Sequence, residues 1–132
     1  MDRLRRFASA ALAILSLTYV LGALFDPPFL APLMKVSCHR LPHRSFHFPW
    51  GMGGQCARCT GFWLAAFISS GLLFVRRIPG TVRTGLLLLA PMLVDGTMQF
   101  FGLHESTNPV RLLTGAAAGL GLVVLLGRAV DG

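Results

Sequence analysis

Four long apolar runs, separated by short polar connections, predict where helices begin and end in this chain. Residues 8–25 are uncharged and follow Asp2, Arg3, Arg5 and Arg6. At about 1.5 Å per residue, a helix of that length nearly covers the ~30 Å hydrocarbon layer of a bilayer. Asp26-Pro27-Pro28 ends the run, because successive prolines remove backbone donors. A short apolar piece over 29–36, broken by Pro32 and Lys35, suits the membrane surface. Further runs cover 59–75, 84–103 and 109–127, and a basic proline-glycine link from Arg76 to Arg83 joins the second to the third. The pattern predicts an all-α fold: one integral membrane domain over 1–132, a bundle of four transmembrane helices with a Cys/His loop over 36–59 between helices 1 and 2. A secretory signal peptide is the rival for the first run. Its apolar part exceeds the usual length of about 7–15 residues, so an uncleaved anchor is expected.

Composition agrees with this pattern. Hydrophobic residues make up 54% and charged residues 13%, against about 25% charged in soluble domains. The net charge of +7 raises nucleic acid as a partner. The twelve Lys and Arg form no patch, however, and sit at the ends of apolar runs, where membrane topology places them. The expected partner is the lipid bilayer and not nucleic acid. An N-in, C-in arrangement in the cell (inner) membrane puts seven basic residues on the cytoplasmic side against five outside, and the compact basic link between helices 2 and 3 adds to that bias.

With this topology the Cys/His loop is extracytoplasmic, and the connection containing His104 and Glu105 lies on the same side. Asp95 and Gln99 are four apart, hence on one helix face leading towards that connection. Arg111, Gly115 and Gly119 share a face of the fourth run in the same way. Intramembrane Asp and Arg are costly and normally face a bundle interior, paired. Asp95 is therefore expected to pair with Arg111 or Arg58. Gly115-x-x-x-Gly119 lets another helix approach closely, within the chain or from a second copy in a homo-oligomer.

All three cysteines and three of the four histidines lie between residues 38 and 59. Cys56-Ala57-Arg58-Cys59 has the spacing of two ligands for one metal, or of a redox pair. With Cys38 and His39 the set Cys38, His39, Cys56, Cys59 fits tetrahedral zinc, and thiolates also select Cu(I). A disulfide with one thiol left over competes with this, as an oxidising exterior favours. The absence of any shared chemistry is the third reading. His47, between Phe46 and Phe48, suits an aromatic belt together with Trp50 and Trp63.

Several blocks together carry a family resemblance: Cys38-His39-Arg40-x-Pro42-x-Arg44-Ser45-Phe46, Cys56-Ala57-Arg58-Cys59-Thr60-Gly61, Pro91-x-x-x-Asp95-Gly96-x-x-Gln99, and Glu105-Ser106-Thr107-Asn108-x-x-Arg111-x-x-Thr114-Gly115. Over about residues 36–120 the chain resembles the small prokaryotic membrane proteins of domain-of-unknown-function family 2085. The resemblance implies a multi-span membrane protein in which the Asp/Gln and Glu/Asn/Arg blocks form one site with the cysteine blocks. It implies no activity. The last third is also similar to VanZ-like membrane proteins associated with glycopeptide resistance.

Two functions of different classes follow. In the first, the Cys/His set holds zinc or copper at the outer face beside the polar cluster. In the second, a membrane enzyme acts on a lipid-linked or anionic phosphate substrate. Arg40, Arg44, Arg58, Gln99, Asn108 and Arg111 would hold the anion, and Asp95 or Glu105 would act as general base. No G-x-S-x-G or H-E-x-x-H motif supports the second. Thiol–disulfide exchange through Cys56 and Cys59 is a further alternative.

Overall fold

The computed structural model describes residues 2–38 and 42–131. Helix α1 spans Asp2–Phe25, a short α2 spans Ala31–Ser37, and α3, α4 and α5 span Ala57–Val75, Val82–Phe100 and Asn108–Asp131. A two-stranded antiparallel hairpin, β1 (Ser45–Phe48) and β2 (Gly51–Cys56), lies between α2 and α3. The apolar runs are thus helical, and α1 begins earlier than its run because the arginines before it are helical too. Arg5 is buried, with Nη2 3.6 Å from Asp2 Oδ1. Arg77 Nη2 lies 3.8 Å from the same oxygen, which places the α3–α4 link beside the start of α1.

Helix α3 is the centre of the bundle. It packs against α1 on one side and α5 on the other, and α4 packs on α5. Backbones approach closely along the α3–α5 seam. A Cβ at Gly115 would collide with the Arg58 carbonyl oxygen, and one at Gly119 with that of Phe62. The small-residue stripe of the fourth run therefore serves packing within the chain. Further along, Ala66, Leu73 and Val123 form a buried core, with Leu12, Trp63, Ile78 and Leu126 packed around it. Tyr19 stacks on Trp63 with ring centroids 4.2 Å apart, joining α1 to α3.

Gly115→Ala is expected to lower stability by about 1–3 kcal/mol, the usual cost of overpacking, because neither backbone at the seam can give way independently. Nothing lies within 4 Å of a Cβ at Gly71. Gly71→Ala should therefore be neutral, or stabilising by up to about 1 kcal/mol from helix propensity. Thermal unfolding of both variants in detergent checks the contrast.

Three helices, α1, α3 and α5, are long and apolar enough to cross a membrane. The expectation of four spans is met for these three. Helix α4 has 19 residues, but Thr84, Pro91, Asp95, Thr97 and Gln99 dilute its apolar run. Its buried residues are Gly85 and Asp95 alone among those described, so much of its surface faces outward while one side packs along α5.

The stretch before α3 is more ordered than a loop. Met52 faces His47 and Gly51 faces Phe48 in the hairpin, whose pairing slips before Ser45 meets Cys56. Strand β2 runs over the end of α1 so closely that a Cβ at Gly54 would collide with the Gly22 carbonyl oxygen. This contact accounts for the glycines that precede Cys56. At the hairpin tip Trp50 donates its indole N–H to the Leu24 carbonyl at 2.7 Å and stacks between Phe25 and Phe48. An end carbonyl of α1 is satisfied in this way, and an aromatic group gathers at the level where α1 stops.

Candidate functional site

The hairpin and α2 bring the cysteines together. Gln55, fully buried, donates from Nε2 to Ser37 Oγ at 3.0 Å, fastening the end of β2 to the end of α2. The next residue on each segment is a cysteine, and the Cys56 backbone N–H donates to Cys38 Sγ at 3.3 Å. Cys56 is the N-cap of α3, so Cys59 falls within its first turn. Thr60 Oγ1 donates to the Cys56 carbonyl at 2.9 Å and holds that turn in place. The three sulfurs lie within 4.8 Å of one another. All three cysteines are half-buried thiols, with no disulfide among the described residues.

Tetrahedral thiolates at about 2.3 Å from zinc stand about 3.8 Å apart. Small rotations therefore bring this trio into ligand geometry, and the sulfurs are positioned to hold a metal ion. Without a cation, the hydrogen bond with the Cys38 sulfur and then burial push the Cys56 thiol above its ordinary pKa. Crowded sulfurs resist carrying negative charge together, and a bound cation removes that resistance.

The remaining polar residues form two networks at the same end of the bundle. From between the cysteines, Arg58 reaches across to α4. Its Nη2 donates to Asp95 Oδ2 and, at 2.9 Å, to Gln99 Oε1. Ser106 Oγ donates to Asp95 Oδ2 at 3.0 Å and accepts from Gln99 Nε2 at 2.7 Å, closing the ring. Of the two partners expected for Asp95, Arg58 is the one in contact. Arg111 instead donates to Asn108 Oδ1 at 3.0 Å and lies 3.4 Å from Glu105 Oε1. The same carboxylate oxygen faces His43 Nε2 at 3.3 Å and Arg44 Nε at 3.6 Å. Arg44, Glu105, Asn108 and Arg111 thus form one group, and Arg58, Asp95 and Gln99 the other. His39 and Arg40 lie outside the described residues.

Three contributors escaped the sequence reading. Gln55 is an uncharged polar residue immediately before Cys56, and its place in a glycine-rich strand was the available signal. Ser37 precedes Cys38 in the same way. Ser106 sits inside the Glu105–Asn108 block, but nothing in its spacing marks it as the residue that ties Asp95 to Gln99. His47 is engaged elsewhere, its Nε2 lying 3.0 Å from the Pro42 carbonyl oxygen.

Residues 38–125 match the family model described as "Predicted membrane protein (DUF2085)". An uncharacterized protein of Methanothermobacter thermautotrophicus is 43% identical over 91 residues, covering 67% of this chain and 82% of that protein. An uncharacterized protein of Methanocaldococcus jannaschii is 34% identical over 99 residues, covering 71% of this chain and 64% of its own length. No solved structure matches the chain. The chain belongs to the DUF2085 family of predicted membrane proteins, and the matched segment contains all three cysteines and both polar networks.

Proposed function

We propose that this member of the family is a metal-binding membrane protein that holds a soft cation, zinc or Cu(I), on Cys38, Cys56 and Cys59. The single observation behind this reading is the convergence of three sulfurs from two segments to within 4.8 Å. The donor set suits either ion, and a histidine completes a tetrahedral zinc site. His39, next in sequence to Cys38, is the proposed fourth ligand. In this reading α4 is the fourth span, with its exposed Leu86, Leu87, Leu93, Val94 and Phe100 facing lipid. The thiol cluster then lies at the outer face of the cell membrane, with both termini cytoplasmic.

A bound ion would fix the backbone around Arg58, which lies between two of the ligands. In this reading the state of the cysteines reaches Asp95 and Gln99 through Arg58, and hence the end of α4. Metal content of protein purified under reducing, chelator-free conditions tests the reading: about one zinc or copper per chain is expected, and metal-free protein overturns it.

Acid should release the ion. Binding requires thiols to lose protons, and the Cys56 thiol lies above its ordinary pKa when no cation is present. Affinity therefore rises with pH, by about tenfold per pH unit for each proton displaced. Metal titration between pH 6 and 8 with a competing chromophoric chelator checks the sign, and an affinity independent of pH contradicts thiolate ligation.

A further inference from the structure

A cavity of about 300 Å³ opens beside the α4–α5 connection, lined by His43, Glu105, Ser106, Thr107, Asn108 and Arg111. One oxygen, Glu105 Oε1, faces two guanidinium groups and an imidazole: Arg111 at 3.4 Å, Arg44, just beyond the lining, at 3.6 Å, and His43 at 3.3 Å. Charge-assisted hydrogen bonds close to about 2.7–2.9 Å. A single oxygen shared by three donors reaches that distance to none of them. Arg111 lines the cavity although it is only 3% exposed, and its Nε and that of Arg44 have no hydrogen-bond partner among the described residues. Two arginines against one carboxylate leave net positive charge even with His43 neutral. Helix α5, of 24 residues, starts at Asn108, so the positive end of its dipole adds to the same potential.

We propose that this cavity binds a phosphate-type oxyanion, with Glu105 as the resident carboxylate that the anion displaces. A phosphate monoester presents several oxygens to donors that now share one, and the planar forks of Arg44 and Arg111 suit it. Ser106, Thr107 and Asn108 supply neutral polar groups around the rim. Glu105 is the mobile partner, since its side chain is 61% exposed while Arg111 is held by Asn108. The same ligand chemistry occurs on a lipid headgroup and on free phosphate. The inference is independent of the metal reading, because none of these residues is a proposed metal ligand.

Phosphorus NMR on the full chain in dodecylmaltoside tests it, with inorganic phosphate and, separately, dioleoyl phosphatidic acid in mixed micelles as probes. At least one phosphorus signal should shift on binding. A response to phosphatidic acid alone assigns the lipid headgroup as the source, and a response to inorganic phosphate assigns the free anion. Glu105→Gln removes the competing carboxylate and should tighten binding about tenfold, whereas Arg44→Gln should weaken it about tenfold. Glu105 is 61% exposed and Arg44 29%, and circular dichroism verifies that both variants keep the fold. A merely structural ion-pair cluster gives the opposite sign for Glu105→Gln. Silence of both probes, or weaker binding by Glu105→Gln, overturns the proposal.

Discussion

Cys56→Ser is expected to reduce bound metal from about one equivalent to near zero, with Cys38→Ser and Cys59→Ser close behind. Cys56 does more than supply a sulfur. It ends β2, caps α3, and its N–H donates to Cys38 Sγ. Serine fits this backbone but is a poor ligand for a soft cation, since thiolate is the species that zinc and Cu(I) select. The effect is large because binding free energies of structural thiolate sites are about 10–16 kcal/mol, so one ligand lost out of four changes occupancy at any ordinary metal concentration. Elemental analysis of purified variants provides the measurement, with Gly71→Ala carried through the same purification as the control. Full metal content in Cys56→Ser contradicts the proposed site.

The second large effect lies in the Arg58–Asp95 pair. Side-chain exposures of 16% and 10% make this an interior ion pair. Removing one member leaves the other with only a neutral partner, Gln99 for Arg58 or Ser106 for Asp95, and an uncompensated interior charge costs about 3–5 kcal/mol at buried sites. Arg58→Met and Asp95→Leu should each show a loss of that order in thermal unfolding in detergent. Asp95 is one of only two buried residues described on α4, so the loss should appear first as detachment of that helix, seen as faster proteolysis of the link at 76–83. In the double variant Arg58→Met/Asp95→Leu both charges are gone, and most of the stability should return. Additive losses in the double variant contradict a direct pairing.

Much of the helical framework was legible in the sequence because hydrocarbon-length apolar runs have few alternative explanations. Residues 8–25 and 59–75 end at the same residues as α1 and α3, and Asp26-Pro27-Pro28 ends the first helix where proline chemistry says it must. The meeting of the cysteine segment with the Asp95 and Arg111 blocks was expected from a four-span topology, in which α3 and α4 together return the chain to the side it left. Three helices are long and apolar enough to cross, and α4 as the fourth belongs to the proposal. The hairpin was not legible. Its strands are short, and glycines at 51, 53 and 54 carry no alternating pattern. Gly53 and Gly54 allow a close approach to α1 and Gly51 takes the positive φ of the turn, which only the fold reveals. The choice between Arg58 and Arg111 as the partner of Asp95 also lay beyond helical periodicity. It depends on the Arg58 side chain at the start of α3 reaching the end of α4, a tertiary fact that spacing along one helix cannot carry.

The thiol cluster shows the same division. Spacing alone paired Cys56 with Cys59, because C-x-x-C lets both sulfurs reach one ion or one another. Cys38 joins them through Gln55 and Ser37, a contact between neutral side chains that leaves no signature in charge or hydropathy. The arginine between the two paired cysteines turns the other way, and this separates a sulfur face from a salt-bridged face within one turn of α3.

X-ray absorption at the metal edge of the purified, reduced protein tests the central claim most directly. Three sulfur scatterers at about 2.3 Å with one nitrogen or oxygen at about 2.0–2.1 Å are expected for zinc, and the sulfur shell should disappear in Cys56→Ser. A first shell of light atoms only, or a protein that holds no metal to measure, contradicts it.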